Sequence, residues 1–410
     1  MSPSFPSLVV VLSERREGRI VNQHRYGIIL PNQKSKEATY PEMIKSIHIQ
    51  GYRGFIDFEM SGLQRVNLLV GTNNSGKTSA LESLFLLASQ GDPISLWRVL
   101  WRRSERLPER QAANYPELDV SHLFTGHELH PGSQFTLSAE NDSPARSVQF
   151  AIGEISDEQR PKTTVREGLP IPSRMALHIK GKPGSPFVIP LSRPGGFSGD
   201  SLESSRGGRR RPTDEQIPSQ FVTPESFTGN ELLALWDTVV LTAGEERVLA
   251  ALRLLEPDIE RIAATSITPG YYGDNGNQRG GFRVKFKGIE RPVPIGSMGD
   301  GIWRLLVMAI VIAQCKNGVL LIDEIDTGLH YSVMTRMWKL IFGAATELDV
   351  QVFATTHSYD CVKSLAELCY SEPGAGCAVT LQRIEKGKKK SVPYTAKEIE
   401  TAAIHRFEVR

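Results

Sequence analysis

From Met43 onward the chain alternates between two hydrophobic rhythms. Segments 43–55, MIKSIHIQGYRGF, and 64–71, QRVNLLVG, are rich in Ile, Val and Leu, are bounded by glycine, and predict strands. The second runs into a glycine-rich turn and then into KTSALESLFLLAS, where Leu81, Leu84, Phe85 and Leu87 recur at helical spacing. Segment 231–263 predicts mainly helices. After residue 302 the order is regular: helix 302–314, strand 319–322, helix 331–347, strand 351–355, helix 359–369, then a strand near 378–384. Short, fully apolar strands alternating with helices imply a parallel sheet covered on both faces.

Between about 91 and 230 this order lapses. LWRVLWRRSER (96–106) predicts an amphipathic basic segment with Trp97 and Trp101 one turn apart. Residues 192–216 are dominated by Gly, Ser, Arg and Pro and carry too few apolar side chains to offset their ordering entropy, which predicts a mobile loop. The expected organisation is an irregular extension (1–42), a first half of a core (43–90), an insertion of mixed structure (91–230) and a second half (231–410).

Composition narrows the class without deciding it. In 410 residues, 48 Lys and Arg nearly balance 46 Asp and Glu, so a DNA or RNA surface would have to be local. Local candidates are RGGRRR (206–211), KGKKK (386–390), and Arg98, Arg102 and Arg103 beside the two tryptophans. Cys315, Cys361, Cys369 and Cys377 form no C-x-x-C pair, which suggests a reducing compartment. The run LVVVL (8–12) is too short for a membrane span and lacks the flanks of a signal peptide. The expectation is a cytoplasmic protein with no membrane partner. His122, His127 and His130 have no Cys or carboxylate at ligand spacing and read as an exposed polar segment.

Three motifs carry chemistry. Gly71, Thr72, Asn73, Asn74, Ser75, Gly76, Lys77 and Thr78 match G-x-x-x-x-G-K-[ST] in full, between a strand and a helix. The glycines let successive N–H groups point inward as an anion nest, and the helix start adds partial positive charge. Lys77 is expected on the β- and γ-phosphates and Thr78 on Mg²⁺. Strand 319–322 ends in Asp323 and Glu324, a metal-binding carboxylate followed by a candidate general base. His357, just past strand 351–355 in VQVFATTHS, is placed to hydrogen-bond a γ-phosphate if the two strands are neighbours.

With GSMGDG (296–301) ahead of a helix, these motifs follow one another in an order that resembles the ATP-binding-cassette class of ATPase. Within that class the chain is similar to the SMC-like group that includes RecF-type and OLD-type proteins, and IKSIHIQGYRGF before the phosphate loop strengthens the likeness. The resemblance covers roughly 43–90 and 231–410. It implies an α/β head of P-loop type, with a largely parallel sheet, flanking helices and an antiparallel N-terminal subdomain. It also implies ATP and Mg²⁺ as cofactors and a homodimer or higher homo-oligomer that sandwiches nucleotide. Ser297 and Gly299 then match the signature that contacts nucleotide held by the opposing subunit, and Asp326 the loop that crosses the dimer seam. Arg53 would lie near the base or ribose, and Gln90 would be the lid glutamine. Two features depart from the group: Asp300 stands where a glutamine is usual, and the 246 residues between Lys77 and Asp323 (323 − 77) hold no heptad run.

The 53 residues after His357 (410 − 357) read as helix, strand, the KGKKK turn and a helix capped by Thr395 with Glu398, too little for a nuclease domain of the OLD type. The leading expectation is therefore an ATP-gated switch in nucleic-acid surveillance, such as anti-phage defence, acting with a separate effector nuclease. A RecF-like repair clamp and an ATP-binding scaffold with little turnover are the alternatives.

Overall fold

The structure is a computed structural model. It describes residues 43–108, 117–140, 146–155, 172–181, 187–192, 194–199, 217–224, 226–227, 229–265, 281–372 and 374–405. The extension 1–42, most of the 192–216 stretch and the RGGRRR tract lie outside the described residues.

The described strands are β1 (Ser46–Tyr52), β2 (Phe55–Ser61), β3 (Val66–Val70), β4 (Leu118–Asp119), β5 (Gln134–Glu140), β6 (Arg146–Glu154), β7 (Pro172–Lys180), β8 (Phe187–Ser192), β9 (Gly196–Phe197), β10 (Ser219–Val222), β11 (Ile259–Ala264), β12 (Phe282–Phe286), β13 (Val293–Pro294), β14 (Val319–Ile322), β15 (Gln351–Thr355), β16 (Val379–Arg383) and β17 (Val392–Thr395). The helices are α1 (Lys77–Ala88), α2 (Pro93–Arg102), α3 (Gly229–Trp236), α4 (Ala243–Arg253), α5 (Asp300–Gln314), α6 (Tyr331–Glu347), α7 (Tyr359–Ser371) and α8 (Ala396–His405). None of the described helices is long and apolar enough to cross a membrane.

One sheet runs β10-β14-β15-β3-β16-β17 and is parallel except for β17. Its central strands are buried at every position, as their unbroken apolar sequences require. Alternate residues serve two cores. Val66, Leu68, Leu320, Ile322, Val352 and Ala354 face the side packed by α3 to α8. Leu69, Val319, Leu321 and Phe353 face α1 and α2. The fold is thus the α/β arrangement with a parallel sheet covered on both faces.

The second sheet is antiparallel, β2-β1-β5-β6-β7-β8, and it packs on the far side of α1. This changes the reading of residues 91–230. Strands β5 to β8 extend the N-terminal hairpin edge to edge through the β1–β5 pairing. The segment is therefore largely a continuation of the N-terminal sheet. Strand β10, which also falls inside 91–230, pairs in parallel with β14, so the second half of the core begins before residue 231.

Segment 231–263 differs from the helical expectation at its end, where 259–264 is strand β11. Its buried residues, Ile259 and Ile262, are three apart because the register against β12 shifts between Ile259 and Arg261. That irregularity gives a strand the spacing of a helix.

Candidate nucleotide site

Parallel strands place all their C-terminal ends on one edge, and the candidate residues collect there. β3 leads into Gly71, β14 into Asp323, β15 into Thr356 and β10 into Thr223. β15 lies between β3 and β14, with Ile322 in register with Ala354. The neighbour relation expected for His357 and the carboxylates therefore holds, and His357 itself is exposed.

The phosphate loop has the backbone that its sequence calls for. Gly71 and Gly76 have φ of 148° and 104°, and Asn74 is left-handed at 60°. A Cβ on Gly76 would come within 2.5 Å of the Phe55 ring, so the hairpin turn at 53–55 packs directly against the loop and leaves no room for another residue. Lys77 Nζ donates to the carbonyls of Gly71 (2.8 Å) and Thr72 (2.9 Å). Burial pushes its pKa down, against the pull of Asp323 and Glu324. The Ser75 hydroxyl is buried without a hydrogen-bond partner among the described residues, an orphan donor inside the glycine-rich loop.

Thr78 Oγ1 donates to the Asp323 carboxylate at 3.0 and 3.2 Å, joining residues 245 positions apart. The Thr355 hydroxyl donates to the same carboxylate at 2.5 Å and accepts the Glu324 N–H at 2.8 Å. Thr356 donates to Asp326 at 2.5 Å and accepts the Ser358 N–H at 2.9 Å, bridging across His357. A hydroxyl and a carboxylate in contact are the hard oxygen donors that Mg²⁺ takes, so Thr78 and Asp323 fit that ion. Glu324 has φ of 47°, a left-handed conformation that costs a side-chain-bearing residue about 1–3 kcal/mol. Its carboxylate accepts the Thr327 hydroxyl at 3.2 Å.

Ser297 and Gly299 are exposed, in the turn that leads into α5. The Ser297 hydroxyl donates to the Pro294 carbonyl at 2.7 Å. The first turn of α5 packs on the loop that carries Asp326: a Cβ on Gly301 would sit 3.5 Å from the Gly328 carbonyl.

Two expected residues do not turn toward the loop. Gln90 follows the C-terminal end of α1 while Thr78 is at its start, and a helix of this length separates them by roughly 18 Å. Gln90 packs near Gly181 and cannot close over a metal at Thr78. The Arg53 guanidinium is turned into the protein, 8% exposed, where it pairs with Glu82 at 2.8 Å and Glu105 at 2.6 Å. Burial opposes its charge, but Tyr52, Glu82 and Glu105 outweigh it and raise its pKa. The ion pairs, rather than a base or ribose, account for its donors.

Four of the basic candidates find partners within the fold. Arg102 lies over the Phe221 ring and donates to its carbonyl at 2.9 Å, and Arg103 pairs with Glu82 at 2.6 Å. In the KGKKK turn, Lys390 pairs with Glu59 at 2.8 Å and Lys389 reaches Asp57 at 3.7 Å. His127 and His130 are exposed and His122 is half-buried. The cysteines are free, with Cys377 exposed.

Sequence reading assigned no role to Thr355, Thr356, Glu82 or Arg304. Arg304 carried a signal, as the one charge within the apolar run IWRLLVMAIVIA. The threonines carried none beyond their place at a strand end.

Comparison with known proteins agrees with this geometry. A family model described as "AAA ATPase domain" matches residues 43–149, which contain the phosphate loop. A second, described as "AAA domain, putative AbiEii toxin, Type IV TA system", matches 270–360, which contain the Ser297 turn, Asp323, Glu324 and His357. A Helicobacter pylori protein named ATP/GTP phosphatase is 22% identical over 345 residues, covering 80% of this chain and 88% of that one. A DNA replication and repair protein RecF from Exiguobacterium is 42% identical over 45 residues, 11% of this chain and 12% of that one. Among solved structures, an SMC head bound to the C-terminal winged-helix domain of ScpA aligns with a TM-score of 0.45 at 13% identity, covering 86% of this chain and 97% of that one. Fold and site together define a P-loop α/β head, similar in both halves of its site to AAA ATPase domains.

Proposed function

We propose that the chain is a Mg²⁺-dependent ATPase that acts as an ATP-gated dimerising switch. The observation that carries this reading is the Thr78 hydroxyl on the Asp323 carboxylate, with Glu324 next in the chain at the same sheet edge. Two segments far apart in sequence thereby form one oxygen-lined corner beside an anion nest. Mg²⁺ held by Thr78 and Asp323 would neutralise charge on the bound phosphates. Lys77 exchanges the Gly71 and Thr72 carbonyls for phosphate oxygens. Glu324 takes a proton from water as its oxygen bonds to the γ-phosphorus, and the bond to the ADP oxygen breaks. His357 stands on the neighbouring strand end to hydrogen-bond the departing phosphate.

The exposure of Ser297 and Gly299 supports their use by a second copy, each subunit completing the other's site. The setting we favour is nucleic-acid surveillance with a separate effector nuclease, and the family model whose description includes a toxin–antitoxin system favours defence over housekeeping repair. A RecF-like clamp would instead bind gapped DNA by itself, and more tightly with ATP. Phosphate release and ATP affinity of the wild type, Lys77→Ala and Glu324→Gln test the enzymatic core. Lys77→Ala should lose ATP binding. Glu324→Gln should keep it and turn over about 10²–10⁴-fold more slowly. Equal turnover in Glu324→Gln and wild type would leave only an ATP-binding scaffold.

A further inference from the structure

Arg304 is a lone cation in the apolar core of α5, 6% exposed. Three backbone carbonyls hold its guanidinium: Thr223 at 2.7 Å, Asp323 at 3.1 Å and Glu324 at 3.2 Å. Its Nε is buried without a hydrogen-bond partner among the described residues. Burial pushes its pKa down to about 10, against the pull of Asp323, Asp326 and Glu324.

Such a residue is costly, and its contacts say what it holds. Glu324 is left-handed, and a strained backbone persists only where its surroundings over-determine it. The structure holds it on both sides: Thr355 accepts the Glu324 N–H, while Arg304 at 3.2 Å and the Thr327 N–H at 3.1 Å donate to the Glu324 carbonyl. Arg304 also lies one turn along the helix that Ser297 and Gly299 lead into, and that helix's first turn abuts Gly328.

We infer that Arg304 is a positioning residue that fixes the Glu324 backbone and ties it to α5, so that engagement of the Ser297 turn on nucleotide sets the aim of the general base. This rests on the ATPase reading above. Without Arg304 the carbonyl keeps only the local Thr327 N–H and loses its tie to α5, so Glu324 relaxes toward the right-handed region and its carboxylate leaves the line of attack.

The test compares wild type, Arg304→Met, Arg304→Lys, Glu324→Gln and the Arg304→Met/Glu324→Gln double variant by steady-state phosphate release, ATP affinity and thermal melting. Arg304→Met should lower kcat about 10²-fold, the cost of a misplaced catalytic group, with ATP affinity and KM nearly unchanged. Arg304→Lys, which keeps a donor, should recover part of kcat. In the Glu324→Gln background Arg304→Met should cost nothing more, because the group it aims is gone. A further fall in that background overturns the inference, as does a loss of ATP affinity or melting temperature in both Arg304 variants. Normal turnover in Arg304→Met, with Glu324→Gln inactive, overturns it while sparing the ATPase reading. An inactive wild type instead removes that reading and the inference with it.

Discussion

Glu82 sits on α1 one turn beyond Thr78, with 2% exposure, and serves two arginines at once. Tyr52 adds a hydroxyl at 3.1 Å, and burial pushes that phenol's pKa well up. The group binds the phosphate-loop helix to the β1–β2 hairpin and to α2. A buried ion pair is weak evidence for net stability, but breaking one leaves its partners desolvated and uncompensated. Glu82→Ala is therefore expected to lower stability by about 3–5 kcal/mol, read as a shift of the urea unfolding midpoint. A change within 1 kcal/mol, ordinary for a surface site, would mean that Arg53 and Arg103 find other partners. The acid was legible only as a polar residue in SALESLFLLA, and nothing in that string says that two arginines meet it.

Elements kept their sequence-derived places where one face alone determined them. Helices 302–314, 331–347 and 359–369 and strands 319–322 and 351–355 fall within two residues of α5, α6, α7, β14 and β15 at both ends. The cap expected on the last helix is present: Glu398 accepts the Thr395 N–H at 2.8 Å, and the Thr395 hydroxyl accepts the Glu398 N–H at 3.4 Å. The Thr395 backbone N–H and then its hydroxyl lower the Glu398 pKa. A depressed folded-state pKa means the stabilisation is present above the unfolded value of about 4.5 and is lost as pH falls through the folded value. Glu398→Ala should thus cost some tenths of a kcal/mol at pH 7, discounted for its exposure, and nothing once the pH lies below the folded value. Melting temperatures of variant and wild type should converge on acidification; a constant gap would assign the effect to packing instead. The β11 strand and the β5–β8 extension were not legible, because a register shift and edge pairing are relations between segments.

For the whole molecule the open term is the second subunit. Ser297 and Gly299 are solvent-facing, away from the buried contacts that fix Lys77. If they serve another copy's nucleotide, Ser297→Arg should bind ATP normally yet fail to associate. Sedimentation with and without ATP in the Glu324→Gln background would read this directly. Unchanged ATP-dependent association of Ser297→Arg would remove the composite site while leaving the Lys77 loop in place.

What the sequence determined by itself was the chemistry: a phosphate loop, a paired carboxylate at a strand end, a histidine after another, and the parallel sheet that presents them. Local spacing suffices there, because a glycine-rich turn and an apolar strand constrain their own backbones. Tertiary structure alone decided which polar groups hold that chemistry in place. Thr355 on Asp323, Arg304 on Glu324 and Glu82 on two arginines join residues 20 to 32 positions apart, and the places of Arg53 and Gln90 depend on which way a side chain and a helix point. Burial makes each such group demand a partner, and only the packed fold says which one is within reach.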